Sequence, residues 1–548
     1  MRHAALAVLV PLILAAADNK LADNKLKDLC VPPPGAVAPS LPARLLEGQG
    51  RIHFPITTSS AQAQEFFDQG VAQMHSFWSM EAERSFLQAA ALDPQAPMPQ
   101  WGIAMAAAGD YRPRFQLESY PMPKPSSKRS GEGIPGGGLG RAITAAKKAV
   151  ELGNVPGKAT PLEKLYIAAV AARRDAAVKD RDAAYIEGLR AVLAAYPNEV
   201  EAKTYLALHL MRGFTTPDRQ PREGSMEAVK LLRELLTVAP EHAGVHHYII
   251  HGFEGSTFAK DAWPSCRRYP ELASNIPHAL HMPGHIWAQT GKWQEAAHSF
   301  ESAADQEVAN MRADQLYSKM HHGHNVHFLV TTYDFQGRYE DAEKAARGLL
   351  ALEETPRERA SGDNPYTPFR QGWFGLMRTL VRFEKWDEIL DGKTLPLYDR
   401  PREQAWRHWA VGLAQAAKGN VKAAKSESRA METARVKGKA HDDVPDALRT
   451  GRKELDGHIA WAQGKKTRAL QLLEEAVRIE RSLRYSEPPS YPRPVSEVLG
   501  RLALSAGKLE AAETAFREAI EQFPDSPRAS SGLTETLQRL GKSQGFGF

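Results

Sequence analysis

Along most of this chain, apolar and small side chains recur three and four positions apart, the spacing that gathers them on one helical face. The every-second-residue alternation of a half-buried strand is almost absent. The stretch "VSEVLGRLALSAGKLEAAETAFREAIEQFPDSP", beginning at Val495, shows the unit: small residues at Gly500, Gly507, Ala512 and Ala519, a large one at Phe516, and Pro524 at the end. It predicts two helices of about a dozen residues each, joined at a glycine turn and crossing closely where the side chains are small. Near the other end, "QEFFDQGVAQMHSFWSMEAERSFLQAAALDP" repeats that phase with Gly70, Ala82, Phe86, Ala89 and Pro94. Further copies surround Ala228 and Pro240, Gly284 to Ala303, and Gly337 to Ala342. Across 366–480, "HWAVGLAQAAKGNVKAAKSE" and "HIAWAQGKKTRALQLLEEAVRI" keep the rhythm of helix, glycine turn and helix.

A repeat of about thirty-four residues with this pattern resembles the tetratricopeptide (TPR) unit. The resemblance implies an all-α, right-handed α-solenoid of TPR-like helix-turn-helix repeats, because each pair exposes an apolar face until its neighbours stack on it. The first helices of such an array line a concave groove and the second helices form its outer wall. The chain divides into a signal peptide at 1–17, an extended Pro-rich segment at 18–60 with little to bury, an array at 61–355 and a C-terminal array at 356–548. The first array carries a loop insertion at about 112–140, where "PMPKPSSKRSGEGIPGGGLG" is dense in Pro, Gly and Ser.

The opening "MRHAALAVLVPLILAAA" has the basic start, apolar run and Ala-rich end of a secretory signal, with cleavage near Ala17. Its apolar run is too short for a permanent membrane span, and no second one follows, so no transmembrane anchor is expected. The expected localisation is exported, either periplasmic or secreted. Seventy basic and 65 acidic residues are mixed along the whole chain, so nothing concentrates positive charge for nucleic acid. Cys30 and Cys266 are compatible with an oxidising compartment, but their separation leaves a disulfide between them open. No C-x-x-C-H occurs, so no covalently held haem is expected.

Histidine changes the picture most. Twelve of the nineteen histidines fall between His242 and His327. With Gly291 as the turn residue, its repeat begins at Pro277 and His278, His281 and His285 share one face of the first helix. One period earlier, a repeat beginning at Ala243 places His247 and His251 in equivalent positions, followed by Glu254. A repeat beginning at Gly323 does the same for His324 and His327, followed by Asp334. Seven imidazoles on three consecutive first helices are thus aimed into one groove, by a register set from Gly, Ala and Phe positions alone. Imidazole nitrogens suit copper, zinc or iron, and Glu254 or Asp334 would complete or orient the ligand set.

Other histidines read differently. His246, His321 and His322 fall off the groove phase or before a helix begins and are assigned to loop or surface. His298 lies on a second helix as a packed residue. His75 faces the groove about five repeats away, as part of a binding surface at most. Trp78, Trp101, Trp287 and Trp293 read as packing between repeats. No H-E-x-x-H, phosphate loop, Rossmann fingerprint or serine elbow is present, so any catalysis must come from the histidines.

The phrases "FFDQGVAQMHSFWSMEAERSFLQAAALDPQAPMPQWGIAMA", "HHYIIHGFE", "PHALHMPGHIWAQTGKWQEAAHSF" and "GHNVHFLVTTYDFQGRYEDAEKA" together resemble large exported bacterial TPR proteins of uncharacterised activity. The resemblance covers about residues 50 to 350 and implies a shared histidine groove, with no reaction attached. Three functions fit: a scaffold holding a transition metal in the groove, a metal-dependent enzyme using the same cluster, and a metal-free adaptor taking a protein or peptide in the concave surface.

Overall fold

Caps and turns set the limits of each helix. Ser60 accepts from the Ala63 amide, and Thr160 and Glu163 form a reciprocal capping box, satisfying amides that a first helical turn leaves open. Gly291, Gly337 and Gly507 adopt φ of 81°, 77° and 70°, so each turn uses the one residue that enters the left-handed region without steric cost.

The computed structural model describes residues 42–113, 115, 138–313, 319–352, 367–439 and 446–542. The expected signal peptide, Cys30 and most of the 112–140 insertion lie outside them. The array begins with α1 (Ala61–His75) and α2 (Ser79–Leu92), α3 (Pro97–Ala106) and α4 (Gly138–Gly153), and α5 (Pro161–Arg174) and α6 (Arg181–Ala195). It continues with α7 (Val200–Leu210) and α8 (Ser225–Val238), α9 (Ala243–Phe253) and α10 (Trp263–Leu272), α11 (Pro277–Gln289) and α12 (Trp293–Ala313), and α13 (Met320–Gln336) and α14 (Tyr339–Ala351). Then come α15 (Pro368–Arg382) with the short α16 (Trp386–Leu390), α17 (Pro401–Ala417) and α18 (Val421–Lys439), and α19 (Ala447–Ala462) and α20 (Lys466–Arg481). The last pair, α21 (Val495–Ser505) and α22 (Leu509–Gln522), is followed by a closing helix α23 (Pro527–Arg539). Among the described residues there is no β-strand, only an isolated bridge between Phe214 and Pro221. None of the described helices is long and apolar enough to cross a membrane. The fold is an all-α, right-handed solenoid.

One packing device recurs. A phenylalanine on a second helix lies between a glycine on its own first helix and a glycine on the next. A Cβ on Gly70 or Gly102 would lie 2.6 or 2.4 Å from Phe86, and one on Gly500 or Gly532 would lie 2.7 or 2.3 Å from Phe516. Gly284 stands in the same relation to Phe300, at 2.4 Å. Truncating such a buried ring costs about 3–5 kcal/mol.

Two segments depart from the sequence reading. Residues 42–60 form neither helix nor strand, but Ile52 and Phe54 are buried in the core. The Phe54 ring lies 5.1 Å from that of Tyr166 and 5.7 Å from that of Phe67, so this segment seals the first repeat. Helix α13 begins at Met320, before the expected Gly323, because Met320, His321 and His322 contain nothing that stops a helix.

The superhelix brings distant parts of the chain to its middle. The Tyr269 hydroxyl donates to Ser76 Oγ at 2.9 Å, joining the end of α1 to α10. The Thr216 hydroxyl donates to the Leu483 carbonyl at 2.9 Å, and Trp293 Nε1–H to the Pro524 carbonyl at 3.0 Å. The 483–494 segment contacts His285 on α11 through Glu487 and lines a cleft together with residues of α11 and α13.

Candidate metal centre

Helices α9, α11 and α13 bring six of the seven predicted histidines into two adjacent groups of three. His247, His251 and His278 form one, and His281, His285 and His324 the other; within each, one nitrogen per ring lies within 4.8 Å of the other two. The two touch where the rings of His278 and His281 stack at 5.9 Å between centroids. The one groove thus holds two groups, because i, i+3 and i, i+4 spacings along α11 spread its histidines over two turns.

The tautomers follow from what each Nδ1 meets. His247 Nδ1–H donates to the His75 backbone carbonyl at 2.5 Å. His251 Nδ1–H and His285 Nδ1–H donate to the two oxygens of Glu254 at 3.2 and 3.0 Å. His281 Nδ1–H donates to Asn325 Oδ1 at 2.7 Å, and the amide is oriented by its own Nδ2–H donating to the Phe300 carbonyl at 2.9 Å. Carbonyl and carboxylate oxygens only accept, so each of these rings carries a proton on Nδ1, and those that are neutral keep a lone pair on Nε2. His247 Nε2 and His278 Nε2 are buried and make no hydrogen bond among the described residues. His285 Nε2 and His281 Nε2 face each other at 2.7 Å. Two lone pairs cannot meet at that distance, so a proton or a cation must lie between them.

Surroundings divide the groups. Around the first, Phe77 approaches the rings of His247, His251 and His278 at 4.5, 5.3 and 5.6 Å, while Tyr269 stacks on His247 at 5.0 Å. Burial holds the basicity of all three well below the usual imidazole range, and neighbouring histidine charge adds to this for each. In the second, burial depresses His281 and brings His324 down to about 3. His285 behaves oppositely: burial disfavours its charge, yet the carboxylates of Glu487 and Glu254 outweigh burial and raise it to about 10. Burial raises Glu254, and burial together with the charge of Glu254 raises Glu487 to about 8. An open cleft of about 190 Å³, lined by Trp293, Phe328, Tyr485 and Glu487 among others, reaches His285.

The remaining predicted residues fall elsewhere. His327 turns towards α15, where its Nδ1–H donates to Gln371 Oε1 at 2.5 Å, and it belongs to neither group. Asp334 accepts from the Thr379 hydroxyl at 2.9 Å, and its backbone carbonyl accepts from Arg382, so it orients no groove histidine. His75 is buried instead of groove-exposed: its ring meets the Tyr248 hydroxyl at 3.0 Å and Glu201 at 2.7 Å. Superhelical closure places it beside α9, not five repeats away.

His246 is buried too, against Ser265 and the Pro240 carbonyl. His321 lies on α13 with its ring 6.2 Å from that of His278, and burial lowers it to about 4. His322, also on α13, pairs with Glu307 at 3.1 Å. His298 is exposed. Cys266 is buried. Trp101, Trp287 and Trp293 are buried, in line with packing, although Trp293 also lines the cleft.

Sequence reading missed two residues that shape the site. Phe77 occupies the turn position seven residues after Gly70, where Gly291 and Gly507 stand after Gly284 and Gly500. It holds φ of 54°, a left-handed conformation costing roughly 1–2 kcal/mol for a residue with a Cβ. A phenylalanine in a glycine place was a visible signal. Glu487 comes from an irregular Pro-rich segment outside the repeat phase, and nothing local marks it.

Residues 498–544 match the Tetratricopeptide repeat family. No curated protein matches the chain in sequence. Among solved structures, the human IFIT1 dimer with PPP-AAAA is 12% identical, with 88% of this chain and 92% of that one covered and a TM-score of 0.32. Yeast Tom70 is 10% identical over 88% of this chain and 90% of that one, with a TM-score of 0.29. The repeat match and the stacked helix pairs together support a tetratricopeptide-repeat protein.

Proposed function

We propose that this solenoid is an exported binding or scaffold protein that holds transition metal in its histidine groove. One observation carries the reading. Four buried imidazoles have Nδ1–H committed to fixed acceptors, which leaves Nε2 as the nitrogen that each can offer to one of two three-histidine groups. Ligating histidines are held in this way in metal sites, the outer acceptor fixing the tautomer and orienting the ring. Three imidazoles without a thiolate suit zinc, copper or iron, and three protein ligands leave a further coordination position open. Elemental analysis of untagged protein, before and after dialysis against each metal, tests this. About one ion per group is expected; no metal retained and none bound on addition would overturn it.

A metal-dependent enzyme is a second reading, favoured by the cleft that reaches His285 in the second group. Azide added to the cobalt-loaded protein would then perturb the visible spectrum of one site and leave the other unchanged. Unaltered spectra at both would count against an open site. A peptide adaptor is less favoured, because the 483–494 segment already covers the groove beside His285.

A further inference from the structure

His285 is the one groove histidine whose two nitrogens face different donor sets. Its Nε2 meets His281 Nε2 at 2.7 Å, within the second group. Its Nδ1 meets Glu254 Oε1 at 3.0 Å and also contacts the Glu487 carboxylate. Glu254, His285 and Glu487 form a set of their own, one donor atom from each lying within 4.8 Å of the others. Both carboxylates have little contact with water, with side chains 1% and 9% exposed. Two buried carboxylates thus share the Nδ1–H of His285, with one further donor to Glu254 from His251, and buried negative charge so crowded is stabilised by a cation.

We propose that Glu254, Glu487 and His285 Nδ1 form an additional cation site, and that the His285 ring bridges its ion to the one held by His281 and His324. This rests on the reading of the histidine groove as a metal site. Two protons leave to solvent: the one between His285 Nε2 and His281 Nε2 when the second group takes its ion, and the one on His285 Nδ1 when the additional site takes its own, each N–H electron pair passing to the incoming ion. The bridging ring is then an imidazolate with one nitrogen on each metal. Two carboxylates and an imidazolate offset the charge of a divalent ion, and oxygen with nitrogen donors suits copper(II) or zinc. The ion lies on the cleft side, because His285 and Glu487 both line that cleft. His251 Nδ1 meets the other oxygen of Glu254 at 3.2 Å, so the additional site adjoins the first group without sharing a histidine with it.

Copper(II) titration of untagged full-length protein, followed by elemental analysis and integrated electron paramagnetic resonance, tests the bridge. The wild type is expected to show fewer spins than copper ions, because an imidazolate couples its two ions antiferromagnetically. Glu487→Gln is expected to lose about one copper per chain and to make every remaining copper visible. Glu487→Asp keeps a carboxylate and is expected to restore both the extra copper and the spin deficit, with circular dichroism confirming that all three proteins are folded. Equal copper in the wild type and Glu487→Gln, or a wild-type spin count equal to its copper, would overturn the bridge while leaving the two histidine groups in place. A wild type that takes up no copper would overturn the bridge together with the reading beneath it.

Discussion

The group of His247, His251 and His278 and the group of His281, His285 and His324 use the same side chain at the same helical spacings, yet their surroundings are opposite. Aromatic rings from Phe77 and Tyr269 enclose the first, and its imidazoles stay neutral. The second borders a cleft and contains one ring held charged by two carboxylates. Repeat phase places the imidazoles, whereas residues outside the phase set their protonation and access. Phe77 arrives through a strained turn and packs on the rings of the first group, while Glu487 arrives through a linker and meets a ring of the second. Low dielectric around the first favours neutral ligands, while charge next to the second keeps a proton where a cation would otherwise bind.

Glu254 is where the two environments join, so replacing it should have the largest effect. Glu254→Ala removes the acceptor of both His251 Nδ1 and His285 Nδ1. Each donor loses one acceptor, at about 1–3 kcal/mol, with Glu487 still beside His285 Nδ1, and loss of an orienting acceptor lowers metal affinity about 10- to 100-fold. Competition against a chelator should therefore show both groups weakened together. Weakening of one alone would mean that the groups are independent of this carboxylate.

Single ligand deletions come next. His247→Ala should cost the ion of the first group and spare that of the second, and His281→Ala should do the reverse, each leaving about half of the histidine-bound metal. Elemental analysis of the two variants and of the double variant checks this. If either substitution empties both groups, the six rings behave as one centre and the comparison fails.

Phe77→Gly should act more gently and on one side only. It removes a buried ring, a loss of about 3–5 kcal/mol, and relieves a left-handed strain of about 1–2 kcal/mol, for a net destabilisation of about 1–4 kcal/mol. Denaturant unfolding measures that net. Stopped-flow release to a chelator should show faster exit from the first group and no change in the second. Equal acceleration at both would show that the ring does not serve as a local seal.

The solenoid was legible because its signal is periodic. Gly70, Phe86, Gly500 and Phe516 mark the same close crossings at opposite ends of the chain, and the contacts around the two phenylalanines show why small residues stand there. The histidine register on α9 and α11 was legible for the same reason. What escaped the sequence depended on superhelical closure, which no repeat-by-repeat reading contains. His75 looked remote and lies beside Tyr248, while Glu487, more than two hundred residues beyond Glu254 in the chain, meets the same ring. His321 escaped for a smaller reason, one extra turn at the start of α13.

The smallest expected effect belongs to His327, the predicted ligand that the structure sets apart. It lies three residues after His324, close in helical phase, but its ring turns towards α15 and meets Gln371 and the edge of Phe374 instead of the rings on α11. Its Nε2 is buried without a hydrogen bond among the described residues. His327→Gln loses one hydrogen bond, at about 0.5–1.5 kcal/mol, and also removes a buried nitrogen that had no partner, so the two changes partly offset. Metal content should equal that of the wild type and the unfolding midpoint should barely move, whereas His324→Gln, one turn earlier on the same helix, should release the ion of the second group. Loss of metal from His327→Gln would mean that this ring swings inward when metal arrives, and the division into two groups of three would have to be redrawn with α13 contributing to both.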